Sequence, residues 1–437
     1  MRITRINFTH FYHLYRKSNL TPFPWGGDGG RFFPSLREGL GVGIMLFATS
    51  AMAQVKIIVN NDEKVQRQEV VGVCAKDLYG KMGIAYGSPL TVRNALGQQV
   101  DYQLTHDSLL LVDASVRPCG KAEFTVEQGT PRQPKVYVYG RQYPERVDDI
   151  AWENDRTAYR IYGPALQRNK ERAFGVDVWV KNTPDLEVEK RYATELSNHA
   201  AIEALKSEGK TQEALDMEEA TTYHFDHGYG LDCYKVGPTL GGGAPALMDN
   251  GQLVLPYCYK DYQILDNGPL RFTVRVDYNP TAIGKDKNVV EHRIISLDKG
   301  SNYNRCTVWY DGLTQKRDLA AGVVVHLEEL ENIVLTSNMA LYADPTDNPT
   351  KHNFQIYVGV IFPEGIDYTR FLSTDQDIQN GNPGHLVGVK ENTLGQPFTY
   401  YFGSAWSKND VRTFDEWKLR SEQTLDALHA PMKASIE

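Results

Sequence analysis

Apolar and polar positions alternate along most of the chain. Runs such as Phe272-Thr273-Val274-Arg275-Val276-Asp277-Tyr278 and Cys306-Thr307-Val308-Trp309-Tyr310 repeat with period two and are rich in aromatic and β-branched residues, the pattern of half-buried strands. Val55-Lys56-Ile57-Ile58-Val59 opens the series. Short extended runs continue to about Gln128, including Asp107-Ser108-Leu109-Leu110-Leu111-Val112, and predict a small β-sandwich over residues 54–130. Gly129-Thr130-Pro131-Arg132-Gln133-Pro134 reads as a linker. Strand signals resume at Val136-Tyr137-Val138-Tyr139 and run nearly to the end. The 135–437 stretch is more than one compact sandwich needs, so a large two-sheet sandwich is predicted there.

Two segments break this period. Residues 194–220, rich in Ala, Glu, Leu and Lys with Gly209 between two halves, predict a helical hairpin inserted between strands, either a solvated insertion or a lid over a ligand site. A last helix is expected from Phe414 to about His429. Near the start, Leu40 to Ala53 is a short apolar run ending in Ala51-Met52-Ala53 before Gln54. That reads as a signal peptide cleaved after Ala53, too short for a membrane-spanning helix, and it predicts a secreted or periplasmic protein. The 39 residues ahead of the run exceed an ordinary leader, which implies an over-extended start. A buried apolar strand is the other reading of the run.

Composition narrows the function. The 437 residues carry 47 Lys+Arg against 55 Asp+Glu, a net charge of −8, with 41% hydrophobic residues. A disordered chain is excluded, and a nucleic-acid partner is not expected without a basic excess. Removing residues 1–53 takes six basic and two acidic residues, leaving 41 against 53, or −12. An acidic sugar would therefore have to be held by local Arg or Lys side chains. Export permits disulfides among Cys74, Cys119, Cys233, Cys258 and Cys306, with Cys74–Cys119 and Cys233–Cys258 as first candidates and one thiol left over.

Two segments concentrate chemistry. In Trp152-Glu153-Asn154-Asp155-Arg156-Thr157-Ala158-Tyr159-Arg160-Ile161-Tyr162, strand alternation puts Asp155, Thr157 and Tyr159 on one face and Arg156, Ala158, Arg160 and Tyr162 on the other. Arg and Tyr side chains suit a sugar cleft, and a buried ion-pair network is the alternative. In Tyr223-His224-Phe225-Asp226-His227-Gly228-Tyr229-Gly230-Leu231-Asp232-Cys233-Tyr234, two histidines and Asp232 offer acid/base work, metal ligation or a structural loop; acid/base work is preferred, with no metal and no cofactor. The candidate catalytic residues are His224, His227, Arg156, Tyr159 and Tyr162. The candidate substrate-binding residues are Trp152, Arg160, Asp232, Lys235, Arg271, Trp406 and Lys408.

The ordered series WENDRTAYRIYGPAL, GVDVWVK, YHFDHGYGLDCYKVGPTLGGGAPAL, NGPLRF and LDKGSNYN resembles the secreted family known as domain of unknown function 4861, from about Gln54 to the C-terminus. The resemblance implies a galactose-mutarotase-like β-supersandwich and an association with polysaccharide utilisation, often of pectin; it carries no catalytic assignment. The chain departs from the family pattern in the helical insertion before Tyr223. The function expected on these grounds is acid/base chemistry, lyase-like or epimerase-like, on an oligosaccharide or polysaccharide with acidic groups. A non-catalytic glycan-binding protein is the alternative.

Overall fold

Alternation of buried and exposed side chains becomes antiparallel strands, most regularly in Asp286–Asp298, where inward and outward positions alternate along nearly the whole length. The computed structural model describes residues 54–346, 353–409 and 411–437. The apolar run at 40–53 and its cleavage-like end lie outside the described residues. Among those described, no helix is long and apolar enough to cross a membrane.

Residues from Val55 to Gln128 form a five-stranded and a three-stranded sheet around one hydrophobic cluster that includes Val59, Leu78, Leu110 and Val126. The cluster also contains the short helix Ala75–Met82. The last strand, Lys433–Ile436, pairs with Val55–Asn61, so this unit takes in the end of the chain as well as residues 54–130.

The rest is built from three sheets over one larger core. The widest runs, in order, Tyr259–Asn267, Arg271–Tyr278, Asp286–Asp298, Tyr303–Asp311, Phe398–Trp406, Ile356–Ile361, Met339–Asp344 and Ile333–Leu335. A second sheet centres on Gly242–Asp249, Arg317–Val325 and Gly384–Thr393. A third orders Gly230–Asp232, Val176–Lys181, Thr157–Ile161, Asp149–Glu153 and Tyr139–Tyr143. One cluster containing Trp152, Tyr159, Phe272, Val323 and Phe402 joins all three. The chain is all-β and of the sandwich type.

The helical insertion spans Val188–Ser207 and Thr211–Thr221, starting six residues before the expected boundary. Its start is set by tertiary contacts. The Glu153 carboxylate accepts the amides of Glu187 and Val188 at 2.7 Å, satisfying donors that no local side chain caps. Lys181 Nζ holds the same carboxylate at 2.5 Å and donates to the carbonyls of Asn154 and Asp185. Val188 and Tyr192 then pack with Ala158 and Trp179, so the hairpin covers the face of the third sheet that points away from the main core. The closing helix, Phe414–His429, lies on the widest sheet with Trp417 stacked on Tyr303 at 5.1 Å.

Neither disulfide candidate forms. Cys74 and Cys119 carry free thiols: Cys74 pairs opposite Leu109, at the far end of the strand from Val116 and the turn that holds Cys119, about 23 Å away along the sheet. The Cys258 thiol is also free, which excludes its pairing with Cys233. Burial raises the Cys258 and Cys306 thiols to about 11.

Candidate active site

Three neighbouring strands of the third sheet each bring one charge to the same place. Arg160 stands directly across from Asp177, and Asp232 lies on the next strand, opposite Trp179. Arg160 Nη2 pairs with Asp177 and donates to Asp232 Oδ2 at 3.0 Å, while Nη1 is 3.7 Å from Asp149 Oδ2. All four side chains are buried. The guanidinium also lies over the rings of Tyr162 and Trp179, at 4.9 and 5.1 Å. Two glycines permit the close packing: a Cβ on Gly163 would meet the Asp148 backbone at 2.2 Å, and one on Gly230, at φ +105, would meet the Val180 carbonyl at 2.1 Å.

Burial, with Asp177 adding to it, pushes Asp232 up to about 6 although Arg160 opposes the shift. Burial likewise carries Asp149 to about 6 against Arg160 and Arg146. Burial also works against the Arg160 charge, but Asp177 and its neighbours outweigh it and keep the guanidinium protonated. The cluster is therefore an ion network whose protonation depends first on Arg160 and then on Arg146.

His224 sits at the solvent edge of this network. Its Nδ1 is 2.9 Å from the Asp232 carbonyl, which can only accept, so Nδ1 carries the proton and Nε2 holds the lone pair in the neutral ring. The Asp232 carboxylate lies 3.8 Å behind Nδ1, and the imidazole is 53% exposed. The supporting loop is well anchored. Tyr223 stacks on Trp179 at 4.7 Å and accepts from Arg146 at 2.8 Å, and Asp226 accepts the amides of Gly228 and Gly230 at 2.9 Å. Lys408 pairs with the remaining Asp226 oxygen; together with the two amides this outweighs burial and holds the carboxyl below its usual range. His227 donates from Nε2 to the Thr222 carbonyl at 2.9 Å. A surface cavity of about 500 Å³ opens beside this loop, lined by Phe225, Asp226, His227, Lys408 and, from the second inserted helix, Asp216 and Glu219.

The structure gathers His224, Asp232, Arg160 and Tyr162 into one cluster and His227 with Lys408 into the adjoining cavity. Other sequence candidates fall elsewhere. Tyr159 is 1% exposed on the opposite face of its strand, donating to the Asn302 carbonyl, and burial raises its phenol to about 12. Trp152 is core, stacked on Phe272 and bonded to Asn304, and Trp406 is core, bonded to the Asn353 carbonyl. An aromatic strand position that points into a sandwich has no access to a ligand, and these three are corrected to structural roles. Arg156 lies in the turn between two strands, with its amide on Asn154. Arg271 is held by both oxygens of Asp298 on the widest sheet, beside the small sandwich. Lys235 is exposed. Asp149, Asp177 and Arg146 were missed; a lone Asp inside the apolar run Val176-Asp177-Val178-Trp179 is the signal that marks such a buried carboxylate.

An all-β sandwich with an exposed imidazole backed by a buried acid–arginine network is thus the class that fold and site define. The chain belongs to the family of domain of unknown function DUF4861, whose profile matches residues 59–434. It is 25% identical over 340 residues to uncharacterized protein P7 of Formosa agariphila, covering 75% of this chain and 78% of that protein. Among solved structures it is similar to an alpha-mannosidase from Enterococcus faecalis V583, with TM-score 0.44 and 10% identity over 88% of this chain. A glycosyl hydrolase family 38 protein from Enterococcus faecalis gives TM-score 0.45 at 10% identity over 88% of this chain. The chain spans 46% and 47% of the length of those two solved structures.

Proposed function

We propose that this protein is a secreted carbohydrate-active enzyme in which His224 moves a proton to or from a sugar. One observation carries this reading: an exposed imidazole is fixed in a single neutral tautomer by the Asp232 carbonyl, with the Asp232 carboxylate behind it. When Nε2 takes a proton, the imidazolium forms against a buried carboxylate that stabilises it and cannot drift away. Arg160 offsets the charge of that carboxylate, so it can remain ionised near neutral pH despite burial.

The substrate class follows the polysaccharide association that the family resemblance implies, with an acidic glycan as the finer proposal. In β-elimination from a uronate, Nε2 removes the C5 proton, the C5–H electron pair forms the C4–C5 double bond, and the C4–O bond breaks as its oxygen takes a proton from an acid. Arg160 is buried among its aspartates and Arg271 lies on the widest sheet, and neither lines the cavity, so neither is the cation that meets the sugar carboxylate. Lys408 is the cation at the cavity, and it can exchange Asp226 for a substrate carboxylate; His227, in the same cavity, is the acid when its ring carries protons on both nitrogens, giving the Nδ1 proton while Nε2–H stays on the Thr222 carbonyl. Epimerisation would use the same base and return the proton to the opposite face.

Incubating the protein with a panel of oligogalacturonides and rhamnogalacturonan fragments tests the reading. The expected result is a new product, with absorbance in the unsaturated-uronate band if elimination is the reaction. Binding without any product across the panel would replace it with the glycan-binding alternative.

A further inference from the structure

The widest sheet has a second face, turned away from the core, that the proposed reaction does not use. On its central strands Phe272, Val274, Val276, Cys306 and Val308 point inward, so their neighbours point out. Register sets the outward residues in rows. Asp277, His292 and Trp309 form one row, Arg275, Ile294, Thr307 and Thr399 the next, and Ser296, Arg305 and Tyr401 a third. With strands about 4.8 Å apart and rows about 7 Å apart, the patch is on the order of 14 Å on a side.

Its chemistry is specific. His292 stacks on Trp309 at 5.0 Å and holds Asp277 at 2.5 Å through Nδ1, while its Nε2 lies 3.3 Å from Asp311. Arg275 bonds Asp277 at 3.1 Å and lies 5.6 Å from the Trp309 ring centre. Thr307 and Thr399 share a hydroxyl bond at 2.8 Å. Two walls flank the patch. The closing helix covers the neighbouring part of the same sheet through Trp417 on Tyr303, and the small sandwich meets the strand ends through Lys299 on Asp113 and Gln103 on the Arg271 carbonyl. Clefts at such junctions are favoured places for ligands.

Charge selects among occupants. Exposed Asp261 lies opposite Asp277 on the edge strand, so Asp261, Asp277 and Asp311 outnumber Arg275 and Arg305, which suits neither a nucleic acid nor an anionic membrane, both of which call for a net positive surface. Ile294, Trp309 and the ring of Tyr401 are the apolar members of the rows, too few for the apolar centre of a protein interface. Planar Arg and Asp groups beside an indole match a chain of uncharged sugars, whose hydroxyls need both donors and acceptors and whose C–H faces need an aromatic ring.

We propose that this face binds a neutral-sugar stretch of a polysaccharide, on a different sheet from the His224 loop, so that a polymer is held at one surface and processed at another. The inference rests on the carbohydrate reading above. Affinity electrophoresis through gels containing soluble galactan or polygalacturonate tests it with wild type, Trp309→Ala, Arg275→Gln and His224→Gln. Galactan is expected to retard wild type and His224→Gln equally, Trp309→Ala at least about tenfold more weakly, and Arg275→Gln severalfold more weakly. Arg275 is on the solvent side, so its variant stays informative where Trp309→Ala loses its fold. No retardation by galactan, retardation by polygalacturonate alone, or full retardation of both patch variants overturns the proposal. Failure of the catalytic reading looks different: Trp309-dependent retardation persists while no product forms.

Discussion

Arg160→Met is expected to destabilise the protein by roughly 3–5 kcal/mol, seen as an earlier midpoint in urea unfolding. The loss comes from the partners left behind. Asp177, Asp232 and Asp149 are all buried around the guanidinium, and methionine keeps the volume while removing the charge that offsets them. The effect should grow with pH. Asp149 and Asp232 have folded pKa values near 6, above the usual carboxylate range, so the folded state binds protons more tightly than the unfolded chain. The stability these two groups contribute is present at low pH and lost as pH rises through about 6. Without Arg160 the ionised forms have less compensation, and the gap between variant and wild-type midpoints should be wider at pH 8 than at pH 5. An equal gap at both values would mean that Arg160 contributes by packing alone.

His224→Gln is expected to lower turnover by about 10²- to 10⁴-fold, the usual contribution of a positioned general base. Gln can still donate to the Asp232 carbonyl and fill much of the space, so the loop should keep its place. Because the ring is more than half exposed, little stability depends on it. The expected signature is a fall in kcat with KM and unfolding midpoint nearly unchanged. A fall in affinity with unchanged kcat would place His224 in ligand binding instead.

Period-two alternation marked the strands at Phe272–Tyr278 and Cys306–Tyr310 because each buries one face. The same alternation separated Tyr159 from Arg160 but could not tell which face met the core: aromatic and charged rows both occur at clefts, and only the neighbouring sheet decides. Tyr159 faces Phe402 and the main core, whereas Arg160 faces the inserted helices. The early start of the insertion was hidden because its cap, Glu153, lies 34 residues away from Glu187. Pairing of Lys433–Ile436 with Val55–Asn61 leaves no local trace for the same reason. Of the candidate site, His224, Asp232 and Arg160 were legible as polar residues in strand-like text. Asp149 and Asp177 were not, since a carboxylate inside an apolar strand reads as an interruption until its arginine is known.

Proton transfer by His224 depends on Asp232 acting with it as one unit, and the pH dependence of kcat/KM for wild type and Asp232→Asn tests that coupling most directly. With the substrate that the oligosaccharide panel identifies, wild type should show a rising limb near pH 6, as the buried Asp232 carboxyl loses its proton and can stabilise an imidazolium in front of it. Asp232→Asn should lose most of its activity, with the limb displaced. Superimposable profiles at similar rates in the two proteins would contradict the account.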